Sequence, residues 1–282
     1  MATKEVYALR DRLIDVGGPN GLGSLAVAAR TALRTIPLLE RLAWDKPYRK
    51  RMRASLGRAR LSNSEIVLGT LRGAATAWVA ARFPAFGASA HFQELKHAAR
   101  MAGGAEDAGD SIGSYAPAAT HNAMMSALYV YPGSDYKVFS QSKLRDSAAM
   151  SAAQTTLIAA LAFAKAYGSD QPEAGLGQWE DLAWSAAWHD AAEIANGQAV
   201  LLQPLWRKPA PAALCEDRQQ LAERLLARPG EQWRVWTEWY AAQLDGPASL
   251  GEAHEIARVS LDQETWTAGP AAANASILAH DG

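Results

Sequence analysis

A single cysteine, Cys215, in 282 residues excludes an internal disulfide framework and any structural zinc site built from thiolates. Charge of one sign is lacking too. With 28 basic against 29 acidic side chains, the chain has no global field to coat a nucleic acid or settle on an anionic membrane. Charged residues, at 20%, are too few for a disordered chain, and 49% hydrophobic residues supply a sizeable core. The opening run MATKEVYALRDRL has no apolar h-region or cleavage site, which leads us to expect a cytoplasmic protein. Strand patterning is thin, and the best candidate is Tyr136 to Phe139, after the Pro132-Gly133-Ser134-Asp135 turn. Dinucleotide fingerprint and P-loop are both missing. The glycine-rich run Gly17 to Gly23 follows a helix and not a strand, so it reads as a loop without a phosphate cradle. Cys215 is followed by Glu216 and Asp217, carboxylates that oppose thiolate formation, and is expected to be inert.

What is there is helix. Val6, Leu9, Leu13 and Val16 recur at steps of three and four before Gly17-Gly18. A second stripe, Leu25, Ala28, Ala32, Ile36 and Leu39, predicts a helix over 24–43 that Pro37 kinks or ends. Ser62 and Glu65 have capping-box spacing and open an apolar run from Ile66 to Phe83, stopped at Pro84. Further helices are predicted near 88–102, 117–130, 143–167, 181–196, 211–228, 231–245, 249–259 and 261–279, the last broken at Gly269-Pro270. Alanine-rich composition with few β-branched residues favours closely packed helices, hence an all-α multi-helix bundle. From Ser147 to Ala164 no side chain is charged, yet serines, threonines and alanines make it too weakly hydrophobic for a membrane span. It reads as a buried central helix capped at Gly168. Breaks at 168–178 and at Pro204 to Pro211 divide the chain into an alanine-rich bundle, 1–203, and a tryptophan-rich C-terminal subdomain, 204–282, packed as one unit.

Seven of the ten tryptophans fall between 179 and 239. Trp184 and Trp188 share a helix face, as do Trp233, Trp236 and Tyr240. Such aromatics are either core or an open platform on which a base, a sugar or a flat cofactor stacks, and exposure separates the two. The run EQWRVWTEWYAAQLDG (Glu231 to Gly246), then HEIARV (His254 to Val259) and ETWTAGPAAANASI (Glu264 to Ile277), resembles the C-terminal module of a group of alanine-rich helical proteins from alphaproteobacteria and their mobile elements. Pro204 to Trp206 and the early AARTALRTIPLL are similar to that group as well. The resemblance implies an all-helical bacterial protein and carries no catalytic residues.

Catalytic candidates are few. Glu94-x-x-His97 has the spacing of a carboxylate-bundle metal site, but no second copy occurs and no metal is expected. His189 and Glu193, at i and i+4, could form an acid–base pair, and His121 lies in an apolar helix beside Met124 and Met125. A basic segment, 46–60, carries Arg49, Lys50, Arg51 and Arg53 with Trp44 and Tyr48 nearby. These observations lead us to expect a helical interaction or assembly protein that forms a homo-oligomer or engages a protein partner. Two alternatives stand: an enzyme or small-ligand binder with an aromatic pocket between helices, and nucleic-acid binding through 46–60. No particular cofactor is indicated.

Overall fold

The computed structural model describes residues 2–42, 62–103, 115–133, 138–167, 175–207, 209–245 and 251–281. It is all-α, and among the described residues there is no strand. The N-terminal part runs α1 (Ala2–Val16), α2 (Leu22–Thr35), a 3-10 turn (Ile36–Leu38), α3 (Leu39–Leu42), α4 (Asn63–Arg82), α5 (Pro84–Gly87), α6 (Ala90–Gly103), α7 (Tyr115–Val130), α8 (Gln141–Tyr167) and α9 (Gly175–Ala195). A second 3-10 turn (Val200–Leu202) leads to α10 (Ala212–Leu226), α11 (Arg234–Asp245), α12 (Glu252–Val259), α13 (Gln263–Thr267) and α14 (Pro270–Asp281).

Local chemistry sets the boundaries. Ser62 closes a capping box: the Glu65 amide donates to its Oγ at 3.1 Å, and the Ser62 amide donates to Glu65 Oε2 at 2.6 Å. Pro37 turns the end of α2 into a 3-10 turn and lets α3 continue beyond it. The helix expected over 261–279 divides into α13 and α14, because Gly269 takes a positive φ and Pro270 starts a new first turn. Of the expected strand, Tyr136 lies outside the described residues, while Val138 and Phe139 form a turn and a bend. Gly168, the expected cap of α8, also lies outside them.

The long helix α8 packs against α1, α2, α7 and α9. Its alanines at 148, 149, 152, 153 and 159 are wholly buried, so neighbouring backbones come close. The Thr155 and Thr156 hydroxyls donate back to the carbonyls of Ser151 and Ala152, at 2.8 and 3.1 Å, so polar groups are paired within the helix. By length and composition, Leu22–Arg41 and Gln141–Tyr167 could each cross a membrane, but they are 89% and 67% buried inside the fold and serve as its core helices. The glycine-rich run supplies close approach: a Cβ on Gly23 would lie 2.7 Å from Gly17 Cα and 3.1 Å from Ile194. It lets α1 turn into α2 beside α9.

After residue 203 the chain returns across the bundle. Helix α10 packs on the first 3-10 turn and α3, while α12 and α14 pack on α4. One hydrophobic cluster extends from Val6 to Ile277, so apolar packing is continuous across the division expected at 203/204.

Candidate functional site

The open aromatic surface lies where α1, α8 and α9 meet. Ala183, Ala187 and Ala191 seat α9 against the bundle, leaving the Glu180-Trp184-Trp188 row, at steps of four, beside them. Trp184 and Trp188 join Leu157, Ala160 and Leu161 of α8 around a groove of about 260 Å³. Leu161 is 39% exposed and Trp188 half-buried, so this apolar wall faces solvent. Glu5, Glu180 and Asp181 rim the groove, and none of the three makes an ion pair with a described residue. Geometrically, the groove suits an apolar side chain flanked by positive charge.

The catalytic candidates are not brought together. His121 is 5% exposed within α7, and α7 and α9 pack on α8 without substantial contact with each other. The expected His189–Glu193 pair does not form. Instead Arg207 Nη1 lies 3.2 Å from His189 Nδ1. Glu94 lies 3.8 Å from Nδ1 of His91, and the side chain of His97 lies outside the described residues. Among the described residues no group of three or more His, Cys, Asp or Glu could hold a metal ion. Cys215 Sγ points to the Ala210 carbonyl at 3.6 Å. Its expected neighbour Asp217 is turned inward, accepting from Arg41 Nε at 2.7 Å and from the Tyr167 hydroxyl at 2.6 Å. The basic segment with Arg49, Lys50, Arg51 and Arg53 lies outside the described residues.

The platform expectation fails at Trp184, Trp233, Trp236 and Tyr240, which are 9%, 1%, 1% and 6% exposed, and of the named aromatics Trp188 alone is half-buried. The ring faces of Trp233, Trp236 and Tyr240 are core, and their polar atoms are tied down. Trp233 Nε1 donates to Glu231 at 2.6 Å and Trp236 Nε1 to Asn274 at 2.8 Å. Trp239 Nε1 donates to Glu255 at 2.9 Å, and the Tyr240 hydroxyl to the Leu33 carbonyl at 3.1 Å. Burial pushes the Tyr240 hydroxyl well above its ordinary value.

Sequence reasoning missed a buried charge cluster. Arg30, Arg34 and Asp190 are 2%, 2% and 1% exposed. Arg30 Nε and Arg34 Nη1 meet Asp190 Oδ2 at 3.0 and 2.8 Å. Arg30 also donates to the carbonyls of Val200, Gln203, Pro204 and Leu205, and Arg34 to that of Leu205. Burial lowers the Arg30 guanidinium to about 10 against the opposing pull of Asp190. Two cations share one carboxylate, and the carbonyl dipoles offset the remaining charge. The cluster clamps the 200–205 segment to α2. Its signal was present: two arginines four apart inside the otherwise uncharged AARTALRTIPLL. Another buried guanidinium, Arg72, is likewise lowered to about 10 by burial and stacks 4.5 Å from the Trp266 ring.

Comparison with protein-family models, with curated proteins and with solved structures finds no match for this chain.

Proposed function

We propose that this chain is a non-enzymatic, cytoplasmic helical interaction protein whose Trp184–Trp188 groove docks an apolar segment flanked by basic side chains on a protein partner. One observation carries the reading: an exposed aromatic and aliphatic groove sits inside a rim of three carboxylates with no ion-pair partner among the described residues. An apolar side chain entering it displaces water from Leu157, Leu161 and Trp188, while lysines or arginines alongside meet Glu5, Glu180 and Asp181. A second copy of the same face is the poorer occupant, because a two-fold axis would set the acidic rims against each other. The separation of His121 from His189 and the unpaired geometry of His189 and Glu193 favour binding over acid–base chemistry.

The test uses two synthetic amphipathic helices with identical leucine stripes, one with lysines and one with glutamates on the polar face. The lysine helix should bind, weaken as salt rises, and lose affinity with Trp188→Ala. The paired reversal Glu180→Lys and Asp181→Lys should shift preference to the glutamate helix. Equal affinity for both helices, or binding indifferent to Trp188, would sink the proposal.

A further inference from the structure

On another face of the molecule, two cavities of about 330 Å³ each share Arg218 and Tyr240 as lining residues. The first lies between α10 and α11, over Ile36 and Leu71, with Leu221, Leu225 and Trp236 also lining it. Those five residues are buried and apolar, so the floor is a preformed hydrophobic surface. The second cavity opens toward the 204–215 segment and is lined by Trp206, Arg207 and Asp245 among others. Its charged lining residues are Arg207, Arg218 and Asp245, two cations against one carboxylate. Arg218 is half-buried and makes no hydrogen bond or ion pair with a described residue. The Tyr240 hydroxyl beside it is directed to the Leu33 carbonyl and neutralises nothing.

We infer that this pair of cavities binds a small amphipathic carboxylate, with its aliphatic body in the α10–α11 cavity and its carboxylate on Arg218. Three features specify that class together. The volume lies at the low end of the range for ligand pockets, which limits the body to a short chain. The floor offers dispersion contacts and no partner for a polar body. Arg218, which lines both cavities, is half-buried without a counter-ion among the described residues, and a carboxylate accepts from its fork through two parallel hydrogen bonds. A neutral ligand would leave that charge uncompensated, and a dianion would exceed the one surplus positive charge in the lining.

The probes are octanoate, which has body and charge, octanol, which has the body alone, and acetate, which has the charge alone. Each is titrated into the full chain by calorimetry, with tryptophan emission followed because Trp236 lines the cavity. Octanoate should saturate at one per chain, with octanol at least about tenfold weaker and acetate silent. Arg218→Gln removes no hydrogen bond seen among the described residues, so it should unfold like the parent while losing the octanoate preference down to the octanol level. Should that variant fail to fold, Ala241→Phe at the exposed rim fills the apolar cavity and should abolish both octanoate and octanol binding. Trp188→Ala, in the other groove, should leave octanoate affinity unchanged, so the two proposals fail separately. Equal binding of octanoate and octanol, unchanged octanoate affinity in Arg218→Gln, retained binding in Ala241→Phe, or uptake rising without saturation would each overturn the inference.

Discussion

The helices around α8 and the aromatic helices α11 to α14 pack by opposite means. Around α8, contact is made with alanine: side chains at 148, 149, 152 and 153 are buried, backbones approach, and hydroxyls bond within their own helix or to a neighbouring backbone. In the C-terminal region the spacing is filled by tryptophans, and the indoles at 233, 236, 239 and 266 each donate to a partner. The first solution has little tolerance for added volume and few side-chain polar pairs to lose. The second has many specific donors to satisfy, and each is a point at which it can fail. The two are in continuous apolar contact, and at the 200–205 segment between them Arg30, Arg34 and Asp190 add a buried charge cluster to that packing.

The largest effect is therefore expected at that junction. Asp190→Ala leaves two guanidinium groups buried without their carboxylate, and removing one partner of such a cluster costs about 3–5 kcal/mol. Urea unfolding should show a midpoint shift of that size, with hydrogen exchange accelerated first at 200–205. A loss below about 1 kcal/mol would mean that the carbonyls alone satisfy the arginines, and that the cluster adds little to the apolar packing between the two regions.

How much of this could be read beforehand follows from which forces have a local signature. Helix positions were legible because the apolar stripe at Val6, Leu9 and Leu13 and the Ser62–Glu65 box are local features of the chain. The central role of α8 was legible from an uncharged run too polar for lipid. The Trp184–Trp188 pair was named on spacing, and half-buried Trp188 beside exposed Leu161 is what remains of the platform idea, since Trp184 is buried. Trp233, Trp236 and Tyr240 have similar helical spacing and, unlike Trp188, are wholly covered, because burial depends on which helices return to cover them. Asn274, which accepts from Trp236, is 38 residues away. Asp190 lies 160 residues from Arg30, and no periodicity joins them. Arg218, with no ion-pair partner among the described residues, was invisible for the same reason, since pairing is a property of the fold.

The contrast in packing is sharpened by two substitutions. Ala152→Leu inserts volume where the helices have no slack, and overpacking costs about 1–3 kcal/mol. Asn274→Ala removes no large apolar volume but strands the Trp236 donor, at about 1–2 kcal/mol. If the contrast is real, an alanine-to-leucine change at the exposed Ala241 is close to neutral, and Trp236→Phe combined with Asn274→Ala costs less than the sum of the two single changes. Additive losses in that double-mutant cycle would show that the indole and the amide act independently, against the 2.8 Å bond between them.

The smallest effect concerns how the two regions start their helices. Helix α4 is 20 residues long and buried along most of its length, so Ser62→Ala should remove about 1 kcal/mol at its end without unfolding the rest. Helix α13 has five residues, and its start depends on Asp262, which accepts from the Thr265 amide at 2.7 Å and the Thr265 hydroxyl at 2.8 Å. Those bonds hold the Asp262 carboxyl below its ordinary 3.8. A depressed folded-state value means that the cap's contribution is present above pH 3.8 and is lost as pH falls through the lower folded value. Asp262→Ala should then raise amide exchange at Thr265 and Trp266 at neutral pH and match the parent once both are acidified below that value. Ser62→Ala removes an uncharged hydroxyl and leaves Glu65 in parent and variant alike, so its deficit should persist through the same range. A cap difference at Asp262 that persists in acid would show that the Thr265 contacts, and not the carboxylate charge, hold the short helix in place.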